Sequence, residues 1–332
     1  MLKADIFPRI SVMVRVVAAA GLLMAGACVP VPVGDSTSMS QPDSATASQP
    51  AEVEIAHYSG TDVVPVSPET VVVADIAALL SLHDLGVEGI AGLLGLGVPI
   101  PDKYAEALNN PDFEELGSVW EPDYEAINAL EPDLIIVAGR SSRIYADMKE
   151  IAPTADLTVW EDFYNKFQEQ HRNMGKIFGV EDRVEERLAE LDAMVQDVSA
   201  QTADAGRALI LMTTGAEVTA YGPGSRFGFV HDTFGYAAAD ENLEREATHG
   251  DAVSFEYILE MQPDVLFVID RASAIGAEGK AAAEILDNEL VAQTPAWQNG
   301  RVIYVNSFDW YIAWTALPAF FQVVEDVQAG LQ

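Results

Sequence analysis

Arg140, Arg226 and Arg271 are the residues of this 332-residue chain best suited to act on a ligand. A guanidinium is planar, permanently charged and rich in donors, so it suits delocalised oxyanions and aromatic faces. Arg140 closes the run LIIVAGR (134–140) and Arg271 the run VLFVIDR (265–271), each at the carboxyl end of a strand-like segment. Arg226 stands in YGPGSRFG (221–228), where Gly and Pro make a tight loop between a strand and a helical FVHDTFG. The chain has only 12 arginines, so three at such positions are informative. The competing reading is that each pairs with a surface carboxylate, which this sequence supplies in excess. Arg143, three residues past Arg140, could take its place. His249, in THGD (248–251), and Tyr311, in DWYIAW (309–314), add an imidazole and a phenol, both able to ligate Fe(III). A solvent-facing loop histidine and a tyrosine at a pocket rim explain the same two residues.

These positions need a scaffold that alternates strands with helices. Apolar runs at Thr70–Ala74, Ile90–Leu93, Leu134–Ala138, Leu157–Trp160, Ala208–Met212, Val218–Tyr221, Val265–Ile269 and Val302–Val305 predict strands. Continuous rather than alternating apolar strands, separated by helical segments, indicate parallel sheets covered on both faces. Residues 125–140 (EAINALEPDLIIVAGR) return as 256–271 (EYILEMQPDVLFVIDR), an offset of 131 with six of sixteen positions identical. So long a period excludes a solenoid and fits two lobes of common design. Between the copies, Val184, Leu188, Leu191, Val195 and Val198 recur at steps of four and three, the stripe of an amphipathic helix. The expected fold is therefore α/β. Two Rossmann-like lobes with parallel-rich sheets, residues 53–164 and 206–332, are joined by a long interlobe α-helix within 165–205. A ligand cleft lies between the lobes, beyond the carboxyl ends of the strands.

Composition limits what such a cleft can do. With 52 acidic and 18 basic residues the net charge is −34, which argues against nucleic acid as a partner. A single cysteine excludes a disulfide framework or a Cys-rich metal site. GxSxG, GxxxxGK[ST] and HExxH are all absent, and the glycines of 92–97 form only a weak cluster, so no enzyme is expected. At the amino terminus, Lys3, Arg9 and Arg15 precede the apolar VVAAAGLLMA (16–25) and then AGAC (25–28). A basic head, a short apolar core and small residues make an export signal over residues 1–27, with Met13 as an alternative start. It resembles a bacterial lipoprotein signal, which would make Cys28 the lipid-bearing (palmitate) first residue of the mature chain. Residues 28–52, rich in Ser, Thr, Pro, Gln and Ala, read as a flexible tether. The domain would be exported and anchored at the outer face of the cytoplasmic membrane, or on the periplasmic side of a membrane.

Five segments together carry a family resemblance: GTDVVPVSPETVVVAD (60–75), EPDYEAINALEPDLIIVAGR (121–140), AYGPGSRFGFVHDTFG (220–235), THGDAVSFEYILEMQPDVLFVIDR (248–271) and DWYIA (309–313). From about Val53 onward the chain resembles ferric-siderophore-binding lipoproteins of ABC importers. The likeness is to the catecholate (petrobactin- and enterobactin-like) group of the helical-backbone periplasmic binding proteins. That resemblance implies an anion pocket lined by Arg140, Arg226 and Arg271. It implies that His249 and Tyr311 complete the iron shell when the siderophore supplies only four donors. It implies that Glu125 and Glu256, at equivalent points of the repeat, dock onto the ABC permease, which works with its ATPase. No intrinsic cofactor is implied; the ligand is the Fe(III)–siderophore complex. A haem or corrinoid binder on the same scaffold is the alternative, and a siderophore esterase a more distant one. The family tends to be Gly- and Ser-rich after Tyr311, whereas this chain continues with the bulkier Trp314-Thr315-Ala316-Leu317-Pro318.

A trianionic ferric tris-catecholate must approach a strongly acidic protein. Arginines in a low-dielectric cleft act at short range, whereas distant carboxylates are screened beyond about 10 Å at 0.1 M salt and about 3 Å at 1 M. Six lysines among so many carboxylates suit a saline setting. Uptake of an anionic chelate is therefore expected to tighten or quicken as salt rises. Titrations at low and high sodium chloride check this, and a flat or falling salt dependence counts against it.

Overall fold

Sheet order shows how the chain brings its strand ends together. The computed structural model describes residues 51–244 and 250–332. The signal, Cys28 and nearly all of the tether lie outside the described residues, and so does His249. A hairpin of β1 (Glu52–His57) and β2 (Gly60–Pro65) comes first. Next, β3 (Val71–Val73), β4 (Ile90–Gly95), β5 (Glu114–Ser118), β6 (Leu134–Val137) and β7 (Thr154–Asp156) form an all-parallel sheet in the order β5-β4-β3-β6-β7. The second sheet contains β8 (Arg207–Thr214), β9 (Glu217–Tyr221), β10 (Ala237–Ala238), β11 (Asp251–Ala252), β12 (Val265–Asp270) and β13 (Val302–Tyr304). Its order is β11-β9-β8-β12-β13, with β10 pairing β8. The strand order reverses at β3/β6 and at β8/β12, the kind of switch point beyond whose carboxyl ends open α/β sheets bind ligands.

Three sequence expectations change in detail. The hairpin β1–β2 was not foreseen. In the second sheet β9 runs antiparallel to β8, because only Gly215 and Ala216 separate them, and so short a link cannot make a parallel crossover. The expected strand at Leu157–Trp160 lies three residues earlier, as β7. There the Asp156 carboxylate accepts the Thr158 N–H at 3.2 Å and its hydroxyl at 2.5 Å, which turns the chain out of the ladder.

The continuous apolar strands are buried on both faces. Val71, Val73, Leu134, Ile136, Ile210 and Phe267 face one core, which the two lobes share. Val72, Ile135 and Val137 face an outer core of the first lobe, and Leu209, Leu211 and Leu266 one of the second. Full burial of such a side chain contributes about 1.5–3 kcal/mol. The connecting stretch is a helix pair, Phe163–Phe178 and the long Glu181–Thr202, separated at the left-handed Gly179. The stripe Val184, Leu188, Leu191, Val195 and Val198 is buried along the second helix.

The repeat has a structural purpose. Asp133 precedes β6 and accepts the N–H groups of Glu69 and Thr70 at 3.0 and 2.9 Å. Asp264 precedes β12 and accepts the Arg207 N–H at 2.8 Å. Each Pro-Asp pair thus ties the start of a central strand to the segment entering its neighbour.

A buried polar joint lies where the lobes meet the connector. The Phe167 carbonyl can only accept, so His171 Nδ1 carries the proton it donates at 2.7 Å, and Nε2 accepts from Ser81 Oγ at 3.0 Å. Ser81 Oγ in turn accepts the Leu317 N–H at 2.9 Å. Burial drives the imidazole down to about 4, against the opposing Phe167 bond and the Asp84 charge. A depressed histidine contributes stability that is present above its ordinary 6.5 and is lost as pH falls through about 4. Asp75, raised to about 6, runs the other way: its contribution is present below 3.8 and is lost as pH rises through 6. Wild type should therefore lose stability relative to His171→Gln between pH 7 and pH 4, by on the order of 3 kcal/mol. Urea melts of both proteins across that range measure it, and parallel curves would refute the assignment.

Candidate functional site

Each of the three arginines is presented by a turn that closes on its own hydrogen bonds. Past β6, the turn Gly139–Ile144 is fixed by Ser141 Oγ, which accepts the Ala138 N–H at 2.9 Å. The Gly139 N–H donates to Thr158 Oγ1 at 2.8 Å, and the Thr158 hydroxyl donates on to Asp156. Ser142 Oγ donates to the same carboxylate at 2.6 Å, so one buried aspartate holds the turn on both sides of Arg140. Around Arg226, Ser225 Oγ donates to the Gly222 carbonyl at 2.6 Å and Asp232 accepts the Gly224 N–H at 2.7 Å. Gly228 closes this loop without a side chain, since a Cβ there would sit 2.6 Å from the Gly224 nitrogen. Past β12, Asp270 caps the helix Arg271–Ile275 by accepting the Ser273 N–H at 3.0 Å, and it also holds the Ala282 N–H.

All three side chains end on Tyr311, the last residue of the helix Ser307–Tyr311. Arg140 Nη2 donates to the Tyr311 carbonyl at 3.0 Å, and Arg226 Nη2 donates to the same oxygen. Arg271 Nε donates to the phenol oxygen at 2.8 Å. The guanidinium carbons of Arg140, Arg226 and Arg271 stand 5.5, 4.6 and 5.5 Å from the ring centroid. Among the described residues, none of the three has a carboxylate within ion-pair distance. Arg226 Nε is buried and has no hydrogen-bond partner among the described residues. Burial, and then the Arg140 charge, lowers the Arg226 guanidinium to about 10. Burial would raise the Tyr311 phenol, but the Arg271 hydrogen bond and the charges of Arg226, Arg271 and Arg140 outweigh it, so the group lies below its ordinary range. Three cations around an aromatic ring can receive a delocalised polyanion.

The helix bearing Tyr311 is held from the other lobe. Lys103 Nζ and Tyr104 Oη donate to the buried Asp309, the latter at 2.8 Å. Pro99 packs against Gly276, where a Cβ would fall 2.4 Å from the proline ring. Trp314, 4% exposed, stands 5.6 Å from the Arg226 guanidinium. Asp156, Thr158, Lys103 and Asp309 were not singled out from sequence. The motif signal for the first two was an Asp-x-Thr at the end of an apolar run, while the latter two are too far apart in the chain to be linked by spacing.

The other candidates lie elsewhere. Arg143 is exposed, donates to the Val119 carbonyl and stands 4.9 Å over Trp120, so it does not join Tyr311. Glu125 and Glu256 are exposed in the first turns of the helices Tyr124–Ala129 and Phe255–Met261, where a carboxylate also suits the helix dipole. No group of three or more His, Cys, Asp or Glu side chains that could hold a metal occurs among the described residues. A concavity of about 610 Å³ between Leu79, His83, Ile90 and Phe113 has no Arg or Lys in its lining and two glutamates, Glu88 and Glu106, which suits an anion poorly. No described helix is long and apolar enough to cross a membrane.

Residues 71–307 match the periplasmic binding protein family. The chain is 37% identical over 271 residues to the petrobactin-binding protein YclQ of Bacillus subtilis, covering 81% of this chain and 84% of that one. It is 33% identical over 295 residues to the ferric-anguibactin-binding protein FatB of Vibrio anguillarum, covering 86% and 89%. The crystal structure of YclQ superposes with a TM-score of 0.79 at 35% identity over 85% of this chain and 99% of that one. The catecholate-siderophore-binding protein VctP of Vibrio cholerae also gives 0.79, at 32% identity over 84% and 100%.

The charges around Tyr311 should be visible in its titration. An ultraviolet pH titration read as wild type minus Tyr311→Phe is expected to show a phenol ionising below pH 10, and Arg271→Ala is expected to move it upward. A midpoint above 10 would contradict the geometry.

Proposed function

The chain belongs to the periplasmic binding protein family, and we propose that it is the substrate-binding component of an ABC importer, capturing a ferric catecholate siderophore and delivering it to the membrane permease for iron uptake. The observation that carries this reading is the convergence of Arg140, Arg226 and Arg271 on Tyr311, with no facing carboxylate within ion-pair distance among the described residues. An anionic chelate supplies the charge that those groups lack. Buried charge-assisted hydrogen bonds to it replace bonds to a neutral carbonyl. Relatives named for binding petrobactin and ferric anguibactin support the choice of ligand, and none of those named above is named for haem or a corrinoid. Tyr311 and His249 would enter the iron shell only with an incomplete chelate.

Delivery would use the repeat. Glu125 and Glu256 are exposed at equivalent points of the two lobes, as a carboxylate pair docking on a two-fold permease requires. Lipidation at Cys28 would hold the protein at the outer face of the membrane, with residues 29–52 as the tether. Binding and release involve no covalent step, so the protein acts as a carrier rather than an enzyme.

Tryptophan-quenching titrations with a ferric tris-catecholate and a ferric tris-hydroxamate test the reading. Tight, catecholate-selective quenching is expected, weakened at least about tenfold in Arg271→Ala, as for truncation of one partner in a buried charged pair. Equal response to both chelates, or to neither, would overturn it.

A further inference from the structure

An arginine cluster recognises charge and leaves the rest of a ligand unread. The neighbouring aromatic side chains form a second feature, assembled from both lobes. Trp314 is buried against Phe163, with ring centroids 5.0 Å apart and planes 21° apart, and against Phe229 at 6.4 Å and 20°. Its ring lies 5.6 Å from the Arg226 guanidinium, which is itself 4.6 Å from the Tyr311 ring. Trp314 also meets Trp160, at 5.9 Å and 39°. Trp160 comes from the first lobe, four residues past the carboxyl end of β7, and is 38% exposed. A single exposed apolar residue means little by itself. Here the exposed indole meets Trp314, which in turn contacts Phe163 in the core and the Arg226 guanidinium.

Building on the siderophore reading above, we propose that Trp160 and Trp314 form a stacking shelf beside Arg226, and that Trp160 is a specificity-determining residue selecting anionic chelates with aromatic rings over aliphatic ones. Trp314 is covered by its neighbours and fixes the orientation of the shelf. Trp160 presents the accessible π surface. A catecholate ring bound beside the guanidinium groups can lie offset on that indole while its oxygens face the cations. Aromatic rings favour such offset contacts, and the guanidinium of Arg226 favours the π faces already around it. An aliphatic hydroxamate or carboxylate chelate satisfies the cations but gains nothing from the indole.

The test is isothermal titration calorimetry, which does not depend on the fluorescence being mutated. The protein is titrated with the ferric complex of a hexadentate tris-catecholamide. Trp160→Phe keeps an aromatic face and is expected to bind within about threefold of wild type. Trp160→Leu keeps apolar bulk without the π face and is expected to weaken binding about tenfold, the range of one aromatic pair. Equal effects of the two variants, whether both weak or both strong, overturn the shelf and leave the carrier reading standing. Failure of wild type to bind the chelate at all overturns that reading, and the shelf with it.

Discussion

Two guanidinium groups from different lobes end on one carbonyl oxygen, that of Tyr311, and much of the structure serves to hold it there. A carbonyl has two lone pairs, so Arg140 and Arg226 together saturate it. It is also neutral, so the positive charges that gather on it stay uncompensated. Holding like charges together in advance is unfavourable, and at Arg226 the Arg140 charge adds to the larger effect of burial in lowering the guanidinium. The cost falls on the surroundings: the Asn306 cap, the Asp309 carboxylate gripped by Lys103 and Tyr104, and the Trp310 indole bound to Asp326 fix the short helix that carries the acceptor. On the reading proposed above, an anionic guest would complete the complementarity that the neutral carbonyl leaves open.

This local excess of positive charge coexists with a chain that is acidic as a whole. The two act on different length scales. Charges a few ångströms away across a dry contact dominate the site, while carboxylates spread over a hydrated surface are screened. Asp75 is one carboxylate that feels the positive charge directly. It caps the helix Ile76–Asp84 at the end of β3, and burial raises it to about 6 although the Ala78 N–H and the Arg140 charge both act to lower it.

Most of the scaffold was legible because burial on both faces writes itself into the sequence as unbroken apolar runs. The runs at 71–73, 134–137 and 265–269 became central strands, and the repeat around Pro132-Asp133 and Pro263-Asp264 located the joints between them. The hairpin β1–β2 escaped because only one side of it packs: Ile55 and His57 are buried, and their neighbours Glu54 and Ala56 are exposed. Leu157–Trp160 misled because apolar composition says nothing of the Asp156 side chain that ends the ladder there. The three arginines could be chosen from their positions at strand ends and in a glycine loop. Their common acceptor could not, since a backbone carbonyl carries no sequence signature. Arg140 could be separated from Arg143 only in three dimensions, where the second turns toward Trp120.

The contacts between the lobes are spread over several places. Besides the connecting helices there are the Arg140–Tyr311 bond, the Lys103–Asp309 and Pro99–Gly276 crossing, the Ser81–His171–Leu317 joint and a shared core. Two bodies tied at one point keep every rotation, and each further tie removes a degree of freedom. So many ties restrict how far one lobe can swing about the connecting helices. On the carrier reading proposed above, cargo exchange in such a body would rely on side-chain rearrangement more than on lobe opening, so the lifetime of the loaded state would be set by how quickly a few arginines let go.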